Sequence, residues 1–265
     1  MPAGATKTER SQRFHEEGYH IERGVLSGPR IQELLSTFMQ LNERRLPELI
    51  ESHRPQDPND PLFKYPRMMF PHRHVDLARR TLLLPAIFDI LEEFYEEPML
   101  AAQSMFYFKP PKARGQALHQ DNFYLKVSPG TCVAAWIALD RADSENGGLK
   151  VVPRTHRTEI FCPEAADPAA SWTNHFVRPP EGTSVVDPVL EPGDVLFFNG
   201  SLIHGSEPNS SESRFRRSFI CHYVSESCLE LAKYCQPLLD RNAKEYGRAD
   251  AVGGGPCGTD VDLIH

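Results

Sequence analysis

From residue 99 onward the chain is cut into short segments rich in β-forming residues, and this punctuation limits the possible folds more than any other feature. Ala101 to Lys109, Leu118 to Val127, Cys132 to Leu139, Gly148 to Val152, Asp194 to Phe198 and Ser218 to Val224 are such runs, with Gly, Pro, Asn and Asp between them. Short strands punctuated in this way predict a sandwich or barrel. Before residue 99 the period is helical. Thr8 to Glu17 predicts a short helix ended by Gly18, a residue favoured just past a helix C-terminus, and Tyr19 to Arg23 predicts a strand. Ser27 as N-cap and Pro29 in the first turn open an amphipathic helix carrying Ile31, Leu34, Leu35, Phe38 and Leu41 into the low 40s. Pro85 opens another, with Ile87, Ile90, Leu91 and Phe94. The expected architecture is mainly β with flanking helices, in a single domain over 1–265. A helical part (1–98) packs on a barrel core (99–225), and a C-terminal extension follows (226–265).

Two stretches predict loops. Ser52 to Pro71 holds five prolines with several Asp and Asn, and Pro153 to Pro192 is long, polar and Pro-rich, with Trp172 and His175 inside it. A loop of the second kind within a domain is usually functional, so 153–192 is expected to act as a lid. Composition excludes some partners. A net charge of -7 argues against a nucleic-acid surface, which needs clustered Lys and Arg. The densest basic spot is Arg214-Phe215-Arg216-Arg217. No apolar run reaches the roughly 18 residues of a membrane span, and Met1 to Thr6 lacks a signal peptide's apolar core. Cys132, Cys162, Cys221, Cys228, Cys235 and Cys257 include no CxxC pair, which suits neither a zinc knuckle nor a dense disulfide scaffold. The expectation is a reduced, cytoplasmic protein with no membrane or nucleic-acid partner.

The chemistry centres on Leu118-His119-Gln120-Asp121-Asn122-Phe123. If this segment is strand, residues i and i+2 share a face, and the His119 imidazole and Asp121 carboxylate project side by side as two cis metal ligands. His204, in Leu202-Ile203-His204-Gly205-Ser206, is the candidate third ligand. Two His and one carboxylate with open positions form the non-haem Fe(II) oxygenase arrangement. An isolated His-x-Asp is more often a surface turn, so its surroundings must carry the assignment. A ferrous centre that activates O2 needs electrons from a cosubstrate, usually 2-oxoglutarate. Its distal carboxylate suits the planar fork of an arginine, and Arg216 stands twelve residues after His204, between Arg214 and Arg217.

Other candidates have plainer readings. His72 and His74, again at i and i+2, are a substrate-facing or solvated pair rather than a second metal site. His156 follows a Pro-Arg-Thr turn and braces a loop. His222 is either a packed core histidine or a group behind the site, and Trp136 either core or pocket wall. Gly147-Gly148 is explained by a turn. Neither a G-x-S-x-G elbow nor a P-loop occurs.

In order along the chain, His119-Gln120-Asp121, Trp136, Gly147-Gly148-Leu149, Val152-Pro153-Arg154-Thr155-His156, Pro192-Gly193-Asp194, His204-Gly205-Ser206, Asn209, Phe215-Arg216-Arg217-Ser218 and Cys221-His222-Tyr223 resemble the phytanoyl-CoA dioxygenase (PhyH) family. The similarity runs from about Phe14 to Val224. It implies a double-stranded β-helix, a jelly-roll of the cupin type, with His119, Asp121 and His204 binding Fe(II). It implies 2-oxoglutarate held by Arg216, with Ser206, Gln120, Trp136 and Gln103 nearby. The spacing from His204 to the arginine is one residue longer than the family pattern, but Phe215-Arg216 followed by Arg217-Ser218 fits the local motif and favours Arg216. The implied activity is a dioxygenase that uses O2 to hydroxylate a small-molecule substrate and releases succinate and CO2. Asp121 argues against halogenation, since related halogenases have a small residue there. Loops 52–74 and 153–192 are expected to supply specificity, with Phe70, His72, His74, Phe106, Tyr124 and Trp172 as contacts. The alternatives are a non-oxidative cupin-like metal enzyme, which would not need Arg216, and a catalytically silent ligand-binding barrel.

Overall fold

A computed structural model describes residues 8–50, 55–252 and 257. The readings of Met1 to Thr6, of residues 52–54 in the first loop, and of most of 253–265 in the extension lie outside them. Helix α1 (Glu9–Glu17) ends at Gly18 as expected, and Thr8 caps its start. The Thr8 hydroxyl accepts from the Ser11 amide, and Gly18, at φ 85°, donates its N–H to the Phe14 carbonyl. Strand β1 (Tyr19–Glu22) follows. Helix α2 (Gly28–Arg44) buries Ile31, Leu34, Leu35, Phe38 and Leu41, although the Ser27 side chain makes no capping bond. Each of these large side chains contributes about 1.5–3 kcal/mol relative to exposure. Helix α3 (Asp76–Leu82) was not expected from the sequence, because its seven residues are too few to establish a period. Helix α4 (Pro85–Tyr95) has the predicted start and buried face.

The strands are β2 (Met99–Tyr107), β3 (Gln116–His119), β4 (Val133–Ala138), β5 (Leu149–Val151), β6 (Val195–Asn199), β7 (His204–Ser206) and β8 (Ser218–Ser225). One antiparallel sheet runs β1-β6-β4-β8-β2, continued by Leu238–Leu239 and Glu245–Tyr246, with Met68–Met69 also pairing β2. The stretch after 225 therefore supplies the last two strands of this sheet. A second sheet runs β3-β7-β5. Among the described residues no hydrogen bonding closes these sheets into the expected barrel. The strands of the small sheet are three or four residues long and form no ladder with the large sheet. Side-chain packing joins the two sheets instead: Trp136, Leu196 and Ile220 of the large sheet meet Leu149 and Val151 of the small one. The other face of the large sheet carries the helices, with Phe38 stacked on Phe106 at 4.1 Å between centroids.

Residues 153–192 are not a free flap. The Gly115 and Trp172 amides exchange hydrogen bonds with Ala170 and Gly115 carbonyls, and Val177 N–H donates to Leu118 O at 2.7 Å. These contacts hold the segment along β3. Within it, Cys162 is disulfide-bonded to Cys257. The cysteine spacing did not suggest this pairing. No described helix is long and apolar enough to cross a membrane.

Pro192-Gly193-Asp194 forms a tight turn, closed by Asp194 N–H donating to Glu191 O at 3.0 Å. Gly193 has φ 96°, and a Cβ there would lie 2.4 Å from the Leu26 carbonyl oxygen. Gly193→Ala is expected to lower the unfolding free energy by about 1–3 kcal/mol, the range for a residue forced into a disfavoured backbone region. Urea denaturation followed by circular dichroism checks this, and an unchanged midpoint would show that the turn relaxes.

Candidate metal centre

Strand β3 ends at His119. The predicted strand over Leu118 to Val127 breaks there, and a single helical turn, α5 (Asn122–Leu125), follows. Asp121 already has helical dihedrals, φ −61° and ψ −35°. The two side chains are therefore brought together by a turn and not by the i, i+2 alternation of a strand. The chain turns sharply between the two residues because Asn122 N–H bonds Gly200 O, while Tyr124 and Leu125 bond back to Asp121 O. His204 opens β7 directly across from His119 in the small sheet.

The three side chains converge, with ligand-capable atoms all within 4.8 Å of one another and each residue buried. His119 Nδ1 donates to the Ala117 carbonyl at 2.8 Å and His204 Nδ1 to the Leu202 carbonyl at 2.9 Å. In a neutral imidazole that leaves Nε2 with its lone pair, and both Nε2 atoms face Asp121, at 3.4 and 3.5 Å. Outer hydrogen bonds that fix the tautomer of an inward-facing imidazole are a general feature of metal sites. Burial opposes charge on Asp121, but the imidazoles around it, with His222 donating to Oδ2, hold its carboxyl well below the usual range. Burial pushes His204 down to about 4, against the pull of Asp121, so its ring is neutral near pH 7. An anionic carboxylate and neutral nitrogen donors in a buried pocket fit a divalent metal ion.

A cavity opens from this cluster, and its walls include Gln103, Met105, Tyr107, Trp136, Ser206 and Arg216. Arg216 is buried, and burial lowers its guanidinium to about 10, which leaves it charged. Its Nε donates to Gly147 O, its Nη1 to Ser218 Oγ, and its fork lies over the Trp136 ring at 5.2 Å. Arg214 is engaged by Asp143 and Glu145, and Arg217 by Asp140. Of the three arginines, Arg216 is the one at the cavity wall.

The remaining expectations divide. Ser206, Trp136 and Gln103 line the cavity. Gln120 does not. It is buried on the opposite side, donating to Glu159 and Ser201 carbonyls and accepting from Phe161 N–H, so it braces the 153–192 segment. Phe106 is also misplaced. Strand alternation directs Gln103, Met105 and Tyr107 inward, while Phe106 faces the helices. Phe70 packs against Arg73 and Tyr234, His72 is buried on Ser104 with burial lowering it to about 3, and His74 is exposed. None of these three lines the cavity. Tyr124 lies beside His119 and bonds His175 Nδ1 at 3.0 Å. Trp172 lines an adjoining chamber that shares Tyr107, Gln116, Ser206 and Arg216 as walls. His156 does brace a loop, through the His15 carbonyl.

Two residues at the centre were missed or left open. Lys109 continues the inward parity of β2, and that parity was the available signal. Its ammonium is buried, bonded to Gly147 O and Ser206 Oγ at 2.9 and 2.8 Å, and pushed well below its ordinary pKa by burial and by Arg216. His222 places Nε2 3.0 Å from Asp121 Oδ2.

A profile of the family Phytanoyl-CoA dioxygenase (PhyH) matches residues 14–218. The peroxisomal phytanoyl-CoA dioxygenase of Rattus norvegicus is 33% identical over 192 residues, covering 65% of this chain and 55% of that protein. The Mus musculus enzyme is 33% identical over 161 residues, covering 56% and 46%. The chain thus spans about half the length of the curated relatives it matches. Among solved structures, the epimerase SnoN in complex with Fe3+, alpha ketoglutarate and nogalamycin RO superposes with TM-score 0.67 at 24% identity, over 83% of this chain and 84% of that one. EctD from S. alaskensis with 2-oxoglutarate and 5-hydroxyectoine gives 0.67 at 20%, over 84% and 77%. At these identities the likeness is one of fold: mixed and strand-rich.

Proposed function

The chain belongs to the phytanoyl-CoA dioxygenase (PhyH) family, and from that membership we propose that it is an Fe(II)- and 2-oxoglutarate-dependent dioxygenase acting on a small molecule, built on a double-stranded β-helix in one domain. The observation that carries the reading is the buried convergence of His119, Asp121 and His204 in the same cavity as the Arg216 guanidinium. His119, Asp121 and His204 would hold the iron, each imidazole through Nε2. Arg216, with Lys109 and Ser206 beside it, would hold the distal carboxylate of 2-oxoglutarate by charge-assisted hydrogen bonds. Bound together, iron and 2-oxoglutarate supply O2 activation coupled to oxidative decarboxylation, which yields succinate, CO2 and a hydroxylated product.

The chain's own contribution is placement and dryness. Trp136 backs the Arg216 fork, Gln103 turns its amide into the cavity from β2, and the 153–192 segment covers β3. Trp172, in the adjoining chamber, and Tyr124, beside His119, are the substrate contacts that this geometry favours.

Anaerobic addition of Fe(II) and 2-oxoglutarate tests the reading. A metal-to-ligand charge-transfer band in the visible is expected only when both are present, and it should weaken in Arg216→Lys. No band with the folded chain would overturn the proposal.

A further inference from the structure

We propose that His222 is a positioning residue for the metal centre: its Nε2–H holds the Asp121 carboxylate in the rotation that presents it between His119 and His204. The inference rests on the metal-site reading above and extends it to a side chain outside the ligand set. His222 lies within β8, paired on one flank with Gln103 of β2 and on the other with Ala134 of β4. A strand bonded on both edges fixes its Cα, and the ring is only 2% exposed. An imidazole nitrogen 3.0 Å from a carboxylate oxygen carries the hydrogen, because two lone pairs at that separation repel. His222 Nδ1 is buried with no hydrogen-bond partner, as suits the lone-pair nitrogen of that tautomer.

Asp121 needs such a support. It sits on the turn between β3 and α5, and its side chain makes no capping bond to that helical turn. His119 and His204 approach it from the small sheet at 3.4 and 3.5 Å. The contact from the large sheet is His222. Turning the carboxylate about its Cβ–Cγ bond would break this hydrogen bond, so the centre's geometry is keyed to the register between the two sheets.

Co(II) titration of the full chain, followed by calorimetry and by the visible d–d spectrum, tests this without turnover. The parent is expected to bind one Co(II). His222→Phe keeps a ring but removes the N–H. It is expected to bind 10–100-fold more weakly, the usual loss for an outer hydrogen-bond partner of a ligand, with shifted d–d bands. His222→Gln, whose amide nitrogen reaches about as far as Nε2, is expected to recover most of the affinity and the parent spectrum. His222→Asn, which is too short, is not. Parent-like affinity and spectrum in His222→Phe would overturn the proposal. So would equal losses in the Gln and Asn variants at parent-like melting temperatures, a comparison that decides even where the Phe variant fails to fold. A parent that binds no Co(II) would overturn the metal-site reading itself, and this inference with it.

Discussion

His204→Ala is expected to abolish succinate release while leaving the fold intact, and His119→Ala to do the same. The two rings face each other across the β3–β7 pair and are fixed by the carbonyls of Ala117 and Leu202. Removing either leaves two ligand groups and an open position. The expected fall in 2-oxoglutarate turnover exceeds the roughly 100-fold at the top of the range for outer-partner losses. Folding is expected to persist because the main cores lie elsewhere, under α1, α2 and α4 and between the sheets. Succinate assays paired with circular dichroism check both halves. Retained succinate production by a folded His204→Ala variant would remove that residue from the ligand set.

Arg216→Lys is expected to raise the 2-oxoglutarate requirement by about 10- to 150-fold, which corresponds to about 1.5–3 kcal/mol for a lost charged hydrogen bond. Lysine keeps the charge but not the fork. It cannot reproduce the bonds to Gly147 O and Ser218 Oγ that orient Arg216 over Trp136. Lys109 already places one amine donor beside Ser206, so a second flexible amine at 216 adds little direction. Affinity for the oxidised substrate should change less. Arg214→Lys and Arg217→Lys serve as controls, because their carboxylate partners, Asp143 and Asp140, engage them outside the cavity wall. If Arg217→Lys shows the defect and Arg216→Lys does not, the register assigned to the cosubstrate arginine is wrong.

How much was legible depended on the range of the interaction involved. Capping and helical period are local, so α1, α2 and α4 were readable from Gly18, Pro29 and Pro85 and from the apolar spacing behind them. Seven-residue α3 gave no period to read. The break after His119 was not visible either. It depends on hydrogen bonds to Gly200 and on Gln120 reaching Glu159, Ser201 and Phe161, all distant in sequence. The same bonds explain why Gln120, between two candidate ligands, points away from the cavity.

By itself the sequence determined which residue types stand at which spacing: His119, Asp121, His204 and Arg216 in an ordered set, among short strands preceded by amphipathic helices. Those features follow from local backbone preference and from side-chain chemistry, which any reader of the chain can apply. Tertiary structure decided the facing of side chains and the choice among equals. Strand parity placed Gln103, Met105, Tyr107 and Lys109 on the cavity side and turned Phe106 to the helices. Carboxylates outside the cavity took Arg214 and Arg217 and left Arg216 to the buried wall. Packing of the large sheet against the small one brought His222 to Asp121 across 101 residues of chain. Separations of that size leave no periodic trace in a sequence, because the contact is made by the register of two sheets and not by any property of the residues between them.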